Sequence, residues 1–180
     1  MKGLREFEIP YVGLKLGVHR FDYDIDGNFF KHFEDSLIKD CKVHVKLEFE
    51  KKETFFILKF YIDGTVKVEC DRCLEPFDKE IFGDYTLYVK FAENPDEMGN
   101  DDEVMYIARE ESIIDVSQLV YEYINLCLPM QLIHPKKPNG EEGCNPDVLK
   151  YLKENKEKAA KPTDGEMDPR WDALSKLKKQ

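Results

Sequence analysis

The chain is predicted to be an α+β protein: a curved, mostly antiparallel β-sheet or partial barrel with packed helices and a C-terminal helical extension. Three observations carry that reading. Apolar and polar residues alternate through Val43, Val45, Leu47 and Phe49, and neighbouring runs share the habit. A single amphipathic helix stands between Asp115 and Pro129. Beyond Pro129 the composition shifts to loop-forming and charged residues, which separates a core domain of residues 1–130 from a C-terminal arm of residues 131–180.

Taken in order, Leu14–Phe21 alternates as a half-buried strand should, and Asp26-Gly27-Asn28 signals a turn. Phe29, Phe30, Phe33, Leu37 and Ile38 recur at helical spacing, which predicts a short helix over Phe29–Ile38. The strand through Val43–Phe49 follows. Thr54–Ile62 and Thr65–Cys70 are apolar-rich runs separated by Asp63-Gly64, the pattern of a hairpin. Phe77–Phe91 is rich in aromatics and reads as a long strand broken near Gly83. Val104–Ile107 is a short strand. Asp115 followed by Gln118 resembles a capping box, and Val116, Leu119, Val120, Tyr123, Ile124 and Cys127 line one face of the helix that Pro129 stops. In the arm, Asn145-Pro146-Asp147 opens a helix with proline at its first position. Glu154–Lys161 is almost wholly polar and reads as a solvated connector. Asp168-Pro169 opens a final short helix on which Trp171, Leu174 and Leu177 share a face.

The chain has 180 residues and a formal net charge of −10, which is unevenly spread: residues 1–130 carry −12 and residues 131–180 carry +2. An acidic body repels phosphate at long range, which argues against broad nucleic-acid binding by the body. It suits a basic protein partner, or simply keeps the chain in solution. No apolar run approaches the roughly 20 residues of a membrane-spanning helix. The first residues lack the apolar core of a signal peptide, so a cytoplasmic location is expected. There, five cysteines would be reduced, and a metal site competes with plain buried thiols rather than with disulfides.

The run Glu69-Cys70-Asp71-Arg72-Cys73-Leu74-Glu75-Pro76 is the most specific feature. Two thiolates at this spacing can share one tetrahedral metal ion, and His134 and Cys144 are candidates for the other two positions. A closed set of three thiolates and one imidazole would suit structural zinc. The competing reading is two reduced thiols at a strand end. A thioredoxin-like redox pair fits poorly, because the motif opens no helix in a βαβ pattern. Arg72 would be presented at the knuckle's tip, where it could grip a phosphate or carboxylate, or pair with Asp71. No Ser-His-Asp order, phosphate-cradling glycine loop or H-E-x-x-H pattern is present.

The run Cys70–Phe77 resembles the signature of the YceD family of large ribosomal RNA subunit accumulation proteins. Asp115–Leu119 with Leu128–Pro135, and Asp168–Lys178, are similar to two further blocks of that family, in its order. The resemblance implies a role in accumulation or processing of large-subunit ribosomal RNA, hence in ribosome assembly. It implies no catalytic residue. Many members carry two or more cysteines after the histidine, whereas here only Cys144 remains, so a composite site of Cys70, Cys73, Cys144 and His134 is what the resemblance leaves.

The expectation is therefore a non-enzymatic factor acting on a large-subunit precursor through a basic ribosomal protein or ribosomal RNA. Arg72, Trp171, Leu174 and Leu177 are its candidate partner contacts. Two alternatives are a metal-dependent RNA-processing enzyme and a zinc-stabilised adaptor unrelated to ribosomes.

Overall fold

The computed structural model describes residues 4–34, 36–98 and 103–160. The chain divides into two compact units, Met1–His134 and Pro135–Gln180. In the first unit the elements are β1 (Glu8–Ile9), β2 (Gly17–Asp26), α1 (Gly27–Phe30), β3 (Asp40–Lys51), β4 (Phe55–Glu69), β5 (Pro76–Ala92), β6 (Val104–Ala108), β7 (Ile114–Asp115) and α2 (Ser117–Leu126). The second unit contains α3 (Pro146–Ala160).

The main sheet has the order β2-β3-β4-β5-β6, and β1 pairs with β7 as a separate ribbon. Neighbours from β2 to β5 run antiparallel, and β6 joins β5 in parallel. The sheet is open rather than a closed barrel, and the class is α+β, as the alternating runs imply. Strand periodicity sorts the side chains onto two faces. Val43, Val45, Leu47 and Phe49 of β3 face the core with Phe56, Leu58, Phe60 and Ile62 of β4. Burying each such large side chain contributes about 2 kcal/mol. Helix α2 adds Val120, Tyr123 and Ile124 to this core, with the Tyr123 ring 5.0 Å from Phe60 and stacked 4.5 Å from Tyr85.

Several local expectations are corrected. Asp63-Gly64 is not a hairpin turn: β4 runs straight through it, with Gly64 opposite Val43 on one side and Ile81 on the other. Gly64 has φ +153°, and a Cβ built there would lie 2.3 Å from the Lys42 carbonyl oxygen and 2.6 Å from Val43 Cα. The glycine serves close approach of two strand backbones, not chain reversal. Likewise β5 is continuous through Gly83, where a Cβ would lie 2.7 Å from Cys127 Sγ.

The helix expected over Phe29–Ile38 is one turn, α1, capped by the Asp26 carboxylate, which accepts from Asn28 N at 2.8 Å. Beyond it the chain tightens into i→i+3 bonds, and Phe29, Phe33 and Tyr121 pack as a ring cluster instead. The first long strand, expected over Leu14–Phe21, is shifted to Gly17–Asp26 because its pairing with β3 extends to that turn. Asp115 does accept from the start of α2, at Ser117 N, but Gln118 bonds Glu122 rather than closing a capping box.

In the second unit Asn145 caps α3, its Oδ1 accepting from Asp147 N at 2.9 Å. The helix does not stop where apolar residues do. It continues to Ala160 through the stretch expected as a connector, because lysine, glutamate and alanine are strong helix formers.

Gly64→Ala is expected to destabilise the protein by about 2 kcal/mol or more, since the new methyl meets backbone rather than a movable side chain. A urea titration measures it. An unchanged midpoint would contradict the close-approach account.

Candidate metal centre

Strand β4 ends at Glu69 and β5 begins at Pro76, so Cys70–Glu75 is the link between the two longest strands of the sheet. Two backbone bonds close it: Cys70 N–H donates to Glu75 O at 3.0 Å, and Leu74 N–H donates to Cys70 O at 2.8 Å. Leu74 takes φ 60°, the left-handed region that costs a non-glycine residue about 1 kcal/mol. The bond from Leu74 N–H to Cys70 O folds Cys70–Leu74 into one turn, with both cysteines inside it. Cys70 is fully buried and Cys73 nearly so, while Leu74 is 74% exposed.

His134 lies far along the chain, and Asp71 brings it in. Asp71 N–H donates to Leu132 O at 2.7 Å, and the Asp71 carboxylate accepts from Leu132 N at 2.7 Å. These two bonds fix the segment two residues before His134. The imidazole packs against Phe77 with ring centroids 4.6 Å apart, and its Nδ1 lies 3.4 Å from Cys73 Sγ. Sequence reasoning missed Asp71's role, considering it only as an ion-pair partner for Arg72. No local pattern could have revealed it, because its partner is 61 residues away.

The thiols differ in electrostatics. Burial pushes Cys41 up to about 12, helped by Asp26 and Asp40, and burial also raises Cys127. Cys41 donates to Ile25 O and is a core thiol. For Cys70, burial also opposes charge. Hydrogen bonds from the backbone N–H groups of Arg72, Cys73 and His134, and from the His134 ring, outweigh it and lower the thiol to about 6. The site thus favours a thiolate, the form that ligates metal.

Cys70, Cys73, His134 and Cys144 each offer one ligand atom, and these atoms all lie within 4.8 Å of one another. In tetrahedral zinc with sulfur and nitrogen donors, ligand atoms stand about 3.6–3.8 Å apart, so the Cys73–His134 spacing of 3.4 Å is close to the required edge. The donor chemistry fits a zinc-type ion. Four ligands would leave no open position for substrate or water. Arg72 is half-buried. Trp171, Leu174 and Leu177 lie outside the described residues.

This fold and donor set define a small α+β protein with a cysteine–histidine knuckle between two sheet strands. A family model described as large ribosomal RNA subunit accumulation protein YceD matches residues 58–178, and the chain belongs to that family. The matched stretch contains all four candidate ligands and begins within β4. The family's name implies a role in accumulation of large-subunit ribosomal RNA and describes no catalysed reaction. No curated protein and no solved structure matches the chain. No helix among the described residues is long and apolar enough to cross a membrane.

The lowered Cys70 thiol gives a signed pH dependence in metal-free protein. Its folded value of about 6 lies below the ordinary 9.0, so the stability it contributes is fully present above about pH 9 and is lost as pH falls through 6. Thiolate absorbance of metal-free protein is expected to show a step near pH 6 that is missing in Cys70→Ser. A single step near 9 would contradict the hydrogen-bond account.

Proposed function

We propose that the chain is a non-enzymatic factor that supports accumulation and processing of large-subunit ribosomal RNA during ribosome assembly in the cytoplasm. In this reading a structural zinc ion is held by Cys70, Cys73, Cys144 and His134. The observation that carries it is the donor set: three thiols and an imidazole, in a family named for ribosomal RNA accumulation. A fully ligated ion contributes folding energy rather than an activated water. A metal-dependent nuclease would need an open coordination position or converging carboxylates, and the proposed ligand set supplies neither.

The proposed target is a large-subunit precursor, met through a basic ribosomal protein or ribosomal RNA. Trp171, Leu174 and Leu177 are proposed as an anchor, since they recur at i, i+3 and i+6, and Arg72 as a further contact beside the knuckle.

Protein purified without chelator is expected to hold about one zinc per chain, and stripping it should cost on the order of 5 kcal/mol of stability. Elemental analysis with thermal melts measures both. A metal-free protein of full stability would overturn the zinc assignment. The same protein, incubated with precursor ribosomal RNA and magnesium, should leave the RNA intact. Cleavage that follows the protein through purification and disappears in a point variant would overturn the non-enzymatic reading.

Trp171→Ala is expected to abolish co-sedimentation with large-subunit precursors while changing stability by no more than about 0.5 kcal/mol. A loss near 3 kcal/mol, as for a buried aromatic, with association intact would refute the anchor role.

A further inference from the structure

The geometry points to a docking edge on the first unit: we propose that β5, around Phe82, accepts an extended Lys/Arg-rich segment of a protein partner. The proposal rests on the ribosomal reading above and chooses protein over RNA as the body's direct contact.

Strand β5 has β4 along one side from Pro76 to Lys90, but β6 pairs only with Tyr88–Ala92 on the other. Among the described residues, the stretch Pro76–Leu87 therefore has a strand on one side only. Backbone groups on such an edge are a template for an added strand. The edge is also patterned. Asp78, Glu80, Phe82 and Asp84 follow at alternate positions, so all four share the face opposite the core, and all four are exposed. Phe82 is 84% exposed in the middle of the acids. Asp63, in the same cross-strand row as Phe82, is exposed as well. None of Asp63, Asp78, Glu80 and Asp84 forms a salt bridge among the described residues.

Charge complementarity selects the occupant. Alternating carboxylates meet an added strand's side chains directly opposite, where opposite charges stabilise and like charges destabilise. A strand alternating Lys/Arg, with an apolar residue opposite Phe82, satisfies both the carboxylates and the ring. A second copy of this edge would set acids against acids. A phosphate backbone would be repelled by the same row. The strand edge, the alternation and the bare ring thus converge on a basic polypeptide.

The test uses full-length protein and isolated large-subunit precursor particles. A photo-crosslinking phenylalanine analogue replaces Phe82, and the crosslinked species is identified by mass spectrometry. In parallel, Phe82→Ser and the double variant Glu80→Lys with Asp84→Lys are compared in co-sedimentation, with melting curves to check folding. The expected result is a crosslink to a Lys/Arg-rich protein segment and at least a roughly tenfold weaker association of the charge-reversed variant at unchanged melting temperature. Phe82→Ser should weaken association in the same direction, which keeps the proposal testable if the double variant misfolds. Crosslinks to RNA or to a second copy, or folded variants that co-sediment like the unaltered protein, overturn the docking edge and leave the ribosomal reading standing. If the unaltered protein itself fails to co-sediment, the ribosomal reading falls, and the docking edge with it.

Discussion

The pair of hydrogen bonds between Asp71 and Leu132 is the constraint on which the rest of the site depends. It adds a backbone anchor to the contacts that His134 itself makes with Phe77 and Cys73. With it, the segment after α2 is tied to the turn between β4 and β5, and the imidazole arrives at 3.4 Å from Cys73 Sγ. The same turn spends backbone strain at Leu74, and its N–H groups are aimed at Cys70. A positive left-handed residue, a lowered thiol and a distant histidine are thus consequences of one local geometry. That geometry is stiff because β4 and β5 pair from Glu69↔Pro76 to Phe55↔Lys90 on the strand side of it.

Charge divides the protein's surface from its site. The sheet's inner face is nearly all aliphatic and aromatic, and its outer face carries exposed acids that some cations answer only in part, as Arg20 answers Glu48 at 3.1 Å. His44 is held above the ordinary imidazole value chiefly by its hydrogen bond to Asp24, a further sign of the negative potential on that face. A body of this charge repels phosphate at long range. The proposed arrangement therefore assigns protein contact to the sheet and leaves RNA contact to the less acidic C-terminal arm.

Much of this was legible in the residues. The alternation in β3 is legible because Val43, Val45, Leu47 and Phe49 on its inner face are all apolar, and the cysteine spacing by itself marks the knuckle. The readings that failed share a cause. Gly64 and Gly83 look like turn signals when only the chain's own neighbours are considered. In the fold they are the places where Val43 and Cys127 come close, and those neighbours belong to other elements. Glu154–Ala160 looks like a connector because it lacks an apolar stripe, yet helix propensity alone carries it. Asp71 was legible only as an acid. Its role depends on Leu132, and no spacing rule links the two.

The proposed centre is one zinc ion held by four donors in a closed, structural site. X-ray absorption at the zinc edge on the purified, unchelated protein tests it most directly. The expected spectrum is that of a four-coordinate ion with about three sulfur ligands at ~2.3 Å and one nitrogen at ~2.0 Å. A spectrum with an oxygen ligand in the first shell, or with fewer than three sulfurs, would contradict it.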